Sequence, residues 1–129
     1  MLQWGGGYII NIFSVNGFRL QPKTSAYVAA KHGVVGLTTN GPLEYGKHNI
    51  RINSDAPGGV DTPMLRGVLE LFGFDPVKYA KQLSVLERFA QLEVSQATVW
   101  LASDYSSYVT GKTIHVDKEV IQVCNVFKK

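Results

Sequence analysis

Ser14-Val-Asn-Gly-Phe-Arg-Leu-Gln-Pro-Lys-Thr-Ser-Ala-Tyr27-Val-Ala-Ala-Lys31 is the stretch from which the fold of this 129-residue chain is read. Just before it, Tyr8 to Phe13 is a short apolar run rich in β-branched and aromatic residues, which predicts a buried strand closing at Ser14. Asn16 to Pro22 follows as loop, punctuated by Gly17 and Pro22. Thr24 or Ser25 can cap a helix carrying Tyr27, Lys31, Val34, Val35 and Leu37, with Gly33 and Gly36 expected to let a neighbour approach closely. Tyr27 and Lys31 lie four residues apart and so share one helix face. A phenol, an ammonium and the Ser14 hydroxyl would then converge at the carboxyl end of a parallel strand, where open α/β sheets hold their ligands.

These three groups suit one kind of chemistry. A phenol is an ineffective acid or base near neutrality until a neighbouring positive charge favours its phenolate. A serine hydroxyl can hydrogen-bond the same substrate oxygen and stabilise charge that develops on it. Proton transfer at an oxygen, coupled to hydride transfer at its carbon, is carbonyl reduction or alcohol oxidation. A Tyr-x-x-x-Lys pair taken alone is more often an exposed helix pair, so the weight of the reading falls on the sequence around it.

Outward from that stretch, Gly5-Gly6-Gly7 precedes the first strand instead of following one, which makes it a turn and not a phosphate cradle. Gly41-Pro42 predicts a kink or break near Asn40, with Leu43 to Tyr45 resuming as a short turn, because a proline inside a helix costs about 3 kcal/mol. Ile50 to Ala56 is the second strand, stopped by Pro57-Gly58, and its Asp55 must either find a partner or weaken the sheet. Met64 to Leu92 is less regular, with helical pieces around Leu65 to Phe72 and Pro76 to Leu86 whose apolar residues would line a pocket or pack on the sheet. Glu93 to Ala102 carries an apolar stripe at 94, 97, 101 and 102, Tyr105 to Gly111 is loop, and Thr113 to Asp117 is a third strand. Alternation of strands and helices predicts a βαβαβ unit: an α/β fold of about three parallel strands with helices on both faces.

Composition narrows the function classes. At 45% hydrophobic residues the chain can build one real core, and it is expected to form a single domain over 1–129 with an atypical tail at 118–129. Its formal charge of +3 comes from thirteen scattered Lys and Arg, which gives no nucleic-acid or membrane footprint. One cysteine, Cys124, rules out an internal disulfide framework, and no signal-peptide pattern opens the chain, so a cytoplasmic location is expected. His32, His48 and His115 lie far apart without metal-ligand spacing, so no metal is expected.

Four blocks carry a resemblance. Tyr-Ile-Ile-Asn-Ile-Phe-Ser-Val-Asn-Gly is followed by Ser-Ala-Tyr-Val-Ala-Ala-Lys-His-Gly-Val-Val-Gly-Leu-Thr, then by Leu-Glu-Tyr-Gly-Lys-His-Asn-Ile-Arg-Ile-Asn running into Ala-Pro-Gly-Gly-Val-Asp-Thr-Pro-Met. Later comes Trp-Leu-Ala-Ser-Asp-Tyr-Ser-Ser-Tyr-Val-Thr-Gly-Lys-Thr-Ile-His-Val-Asp. In this order the blocks resemble the C-terminal half of the classical short-chain dehydrogenase/reductase family, a Rossmann-like doubly wound fold. The resemblance implies an NAD(P)-dependent oxidoreductase that interconverts a ketone and a secondary alcohol. It implies that Tyr27 of the Tyr-x-x-x-Lys motif donates or accepts the proton, that Ser14 binds the substrate oxygen, and that Lys31 holds the nicotinamide ribose and assists Tyr27. It implies cofactor binding by Tyr27, Lys31, Pro57, Gly58, Val60 and Thr62, with backbone at Val60 and the hydroxyl of Thr62 holding the nicotinamide carboxamide, NAD or NADP as cofactor and a small carbonyl or alcohol as substrate.

Two departures qualify those expectations. The family's glycine-rich phosphate loop, its NAD-or-NADP selecting residue and an upstream catalytic asparagine have no counterpart here, and Lys118-Glu119 stand where a glycine pair is usual. The chain alone is therefore expected to be a fragment of low activity. Its first strand is expected to present an unpaired edge to a second copy or a full-length relative. The alternative reading is a non-catalytic interaction or dimerisation module, or a translated relic.

Overall fold

The computed structural model describes residues 1–15 and 24–117; the loop read at 16–22, Lys118-Glu119 and the tail to 129 lie outside the described residues. Its sheet has three parallel strands in the order β1-β2-β3, formed by β1 (Gly7–Ile12), β2 (Ile50–Pro57) and β3 (Thr113–Val116). Helix α1 (Ser25–Tyr45) joins β1 to β2, while α2 (Pro63–Leu71), α3 (Pro76–Leu83) and α4 (Glu93–Leu101) lie between β2 and β3. β1 pairs with β2 from Gly7 opposite Ile50 to Ile12 opposite Asp55, and β2 pairs with β3 from Ser54 opposite Thr113 to Pro57 opposite Val116. Side chains alternate across a sheet. Ile52 accordingly meets Gly41 of α1, whereas Arg51 and Asp55 reach Leu101 and Thr98 of α4, so the two helices cover opposite faces. The βαβαβ reading holds, with each strand boundary within a residue of its expected place.

The glycine triplet forms the expected turn. Gly5 (φ 78) ends a short 3-10 turn at Leu2–Trp4, and a Cβ on Gly6 would lie 2.6 Å from the Asn49 carbonyl oxygen.

Helix α1 departs from expectation in two ways. It runs unbroken through Pro42, so the kink or break near Asn40 does not occur. Proline cannot donate to the Thr38 carbonyl, but polar side chains bind the turns around it. Thr38 Oγ1 donates to Val34 O at 2.8 Å, Thr39 Oγ1 to Val35 O at 3.0 Å, and Asn40 Nδ2 to Glu44 Oε1 at 2.6 Å across the proline turn. Gly33 and Gly36 have open space beside them among the described residues; the close approach is at Gly41, where a Cβ would lie 2.5 Å from Ile52 Cδ1. Gly41 therefore seats the helix on β2, and its proline neighbour is carried along with it.

Buried polar groups tie β2 to the far side of the molecule. Arg51 Nη1 donates to Leu101 O and Ser106 Oγ, both at 3.0 Å, and its Nη2 donates to Ser103 O at 3.1 Å, so a cation caps the carbonyl end of α4. Asn53, 1% exposed, donates to Val109 O and accepts from Lys112 N. Asp55 is fully buried and does find a partner, the Thr98 hydroxyl, but its Oδ1 has none among the described residues, and burial pushes its carboxyl above the ordinary carboxylate range.

Leu69 of α2 and Ala80 of α3 are buried, Phe74 between the two helices stacks on Tyr79 at 5.3 Å, and Leu83 at the end of α3 packs against the core of Phe13, Val15 and Ala56. The connection to α4 contains Glu87 in the left-handed region at φ 54, a conformation costing roughly 1–2 kcal/mol for a residue with a Cβ. Among the described residues its carboxylate meets only the exposed Lys81, at 3.4 Å. Glu87→Gly is expected to stabilise the fold by about 0.5–1 kcal/mol, since relief of the backbone outweighs the extra freedom of the unfolded chain and a weak surface pair. Urea unfolding measures this, and a lower midpoint would mean that the ion pair dominates.

Candidate active site

The carboxyl end of β1 is pinned by alternate residues. Phe13 (2% exposed) and Val15 (5% exposed) enter the core beside Ala56, with Val34, Val35 and Leu83 packed around them, and Phe13 N donates to Asp55 O at 2.7 Å. Ser14 lies between these two anchors, half-buried, two residues beyond Ile12.

Helix α1 returns to the same end of the sheet. Thr24 stands at its N-cap, with Val28 N donating to the Thr24 carbonyl, although the Thr24 side chain makes no capping bond. One and two turns in, Tyr27 is 43% exposed and Lys31 Nζ donates to the Ile12 carbonyl at 3.0 Å while lying 5.7 Å from the Tyr27 ring centroid. Ile12 was not legible as a site residue, because a backbone acceptor leaves no mark in composition. Its carbonyl takes one of three ammonium hydrogens and leaves two directed elsewhere.

The second part of the site follows β2. Pro57 ends the strand, and Gly58 N donates to Val116 O at 3.1 Å, so close that a Cβ on Gly58 would sit 3.0 Å from the Asp117 Cα. Val60 pairs with Ala90 in an isolated parallel bridge. Thr62 is the N-cap of α2, its Oγ1 accepting from Leu65 N at 3.2 Å, with Pro63 at the first helical position. The hydroxyl is spent as an acceptor there and keeps its hydrogen to donate. Asp61, one residue earlier, is clamped by both arms of Arg66 at 2.7 and 2.8 Å, and those hydrogen bonds lower its carboxyl below the usual range.

The structure thus brings Lys31, Tyr27 and the end of β1 together and presents Thr62 from the end of β2. No hydrogen bond joins Ser14, Tyr27 and Thr62 to one another among the described residues. Nor do three His, Cys, Asp or Glu side chains gather there as a metal site would require. No helix among the described residues is long and apolar enough to cross a membrane.

Comparison with known proteins identifies the family and the fold. The family model described as Enoyl-(Acyl carrier protein) reductase matches residues 1–118. The chain belongs to the short-chain dehydrogenase/reductase family. Among its curated relatives, a short chain dehydrogenase/reductase of Aspergillus oryzae is 49% identical over 116 residues, which is 89% of this chain and 44% of that protein. Among solved structures, an actinorhodin polyketide ketoreductase with NADPH superimposes with a TM-score of 0.85 at 30% identity, over 92% of this chain and 48% of its own. A 7α-hydroxysteroid dehydrogenase complexed with NADH and 7-oxo glycochenodeoxycholic acid does so at 0.85 and 27% identity, over 95% and 47%. The chain therefore spans just under half the length of these short-chain dehydrogenase/reductase proteins, and its sheet is a three-stranded part of their Rossmann-like fold.

Proposed function

We propose that this chain carries the proton-transfer and nicotinamide-binding end of an NAD(P)-dependent oxidoreductase that interconverts a small ketone and a secondary alcohol. One observation carries the reading: the Lys31 ammonium is held on the Ile12 carbonyl beside Tyr27, at the strand end where Ser14 emerges. In this role Tyr27 holds or releases the proton at the substrate oxygen, and Ser14 orients that oxygen by hydrogen bonding. Lys31 steadies the negative charge on the phenol during transfer, and its two remaining hydrogens suit ribose hydroxyls. Thr62 Oγ1 has a hydrogen free for a carboxamide oxygen, and Pro57, Gly58 and Val60 form the turn beneath it. These donors fit a nicotinamide nucleoside. Bound there, the reduced nicotinamide supplies the hydride.

The sequence has no G-x-G-x-x-G between a strand and a helix, so phosphate and adenine contacts are not among the residues named. Reduced nicotinamide mononucleotide and NADH are therefore expected to bind this chain equally, within about threefold, by calorimetry on a sample that unfolds cooperatively. Lys31→Ala is expected to weaken both to the same extent. A folded sample that binds neither nucleotide would refute the enzyme reading for this chain.

A second reading has its own observation. Among the described residues the outer edge of β1 has no strand paired with it, and Tyr8, Ile9 and Ile12 of β1 are 49%, 40% and 50% exposed. Such an edge recruits another strand, which favours a second copy or a full-length relative as a partner.

A further inference from the structure

Away from Tyr27, the fold forms an open cavity of about 720 Å³ between the start of α2, helix α3, the segment 87–92 and the first turn of α4. That volume falls in the range of small-molecule sites, about 300–1,000 Å³. One peptide segment separates it from the nicotinamide turn. Asp61 lines the cavity, whereas Thr62 is extended (φ −128, ψ 156), and successive side chains of an extended chain point to opposite sides. The wall between them is held by Asp61 N donating to Ala90 O and Ala90 N donating to Gly59 O, both at 2.9 Å.

We propose that this cavity is a second ligand site, which binds a neutral, mainly apolar small molecule able to exchange hydrogen bonds with side-chain amides. Val77, Ala80, Phe89 and Leu92 supply apolar wall. Every charged lining residue is already paired: Asp61 with Arg66, Glu93 with Arg88, and Glu87 with Lys81 from outside the lining. An ionic ligand would have to break one of these pairs or remain unpaired against apolar surface, and a neutral one does neither. Gln91 and Gln96 face the same space, and their side-chain amides make no hydrogen bond among the described residues. Each offers two donor hydrogens and a carbonyl acceptor without any charge to satisfy.

Two dyes with one apolar body test this on the full 129-residue chain. N-phenyl-1-naphthylamine is neutral, with one N–H to give; 1-anilinonaphthalene-8-sulfonate adds a fixed negative charge. Fluorescence titration is expected to show one neutral dye bound per chain and the sulfonate bound at least about tenfold more weakly. Val77→Trp, at a 63% exposed position on the cavity wall, fills the space and is expected to weaken the neutral dye at least about tenfold. A Gln91→Ala, Gln96→Ala double variant, which alters exposed residues only, is expected to weaken it severalfold. Leu43→Lys, on the exposed face of α1, is expected to leave it unchanged. Equal binding of the two dyes, or binding that survives both cavity variants in samples with native circular dichroism, would overturn the proposal.

Discussion

Tyr27→Phe is expected, under the proposed function, to lower ketone turnover with NADH or NADPH by about 10²- to 10⁴-fold, with little change in cofactor affinity. The substitution keeps the ring that lies 5.7 Å from Lys31 Nζ and removes only the hydroxyl. Lys31 does not depend on that hydroxyl for its position, because its hydrogen bond runs to the Ile12 carbonyl. The loss should therefore appear in kcat, since proton transfer is an interaction of the transition state. An unaltered kcat would remove Tyr27 from the chemistry and leave the exposed helix pair as the correct description.

Asp55→Val is expected to stabilise the fold at neutral pH, by about 1–4 kcal/mol if the site accepts the new side chain without strain. The native carboxylate is fully buried, with one oxygen bonded by Thr98 and the other bonded by nothing. Removing it does not strand the threonine, whose single hydroxyl hydrogen can go instead to Val94 O at 3.0 Å. The pH dependence supplies a second signature. Burial raises the folded-state pKa of Asp55, so below the ordinary value both states are protonated and this group has no effect. As pH rises past that value the unfolded chain ionises first, and stability falls until the pH passes the raised folded value. Urea midpoints of Asp55→Val should lack that decline. The variant should still weaken in acid, because Glu93 is lowered to about 2 by the Gln91 amide and Arg88, and its contribution is lost as pH falls from the usual carboxylate range toward 2. A variant less stable than the native chain at pH 7 would show that Asp55 anchors α4 instead of straining it.

The sequence was informative wherever one side chain or one periodic run decides the outcome. Apolar runs at Tyr8 to Phe13 and Ile50 to Ala56 located two strands, and Tyr27 with Lys31 stood out because their spacing places them on one face. Pairwise facts between distant residues were hidden. Asp55 finds Thr98 forty-three positions away, and Lys31 is anchored by a main-chain oxygen that any residue at position 12 would supply. Gly41-Pro42 misled for a related reason. Read locally it breaks a helix, while the contact that explains Gly41 is with Ile52 on another element.

The narrow bridge between Val60 and Ala90 has consequences for how this architecture can change. Two hydrogen bonds at its neck close off residues 62–89, which include α2 and α3 and meet the central core through Leu83. Doubling the length of a flexible loop closed in this way costs only about 0.6 kcal/mol. The excursion behaves as a cassette: it can be lengthened, recut or exchanged at a neck that holds Thr62 in place, while the sheet below keeps its register. Under the proposed function, selectivity can then drift in one segment while the end of β1 and α1 that would handle the proton stays fixed.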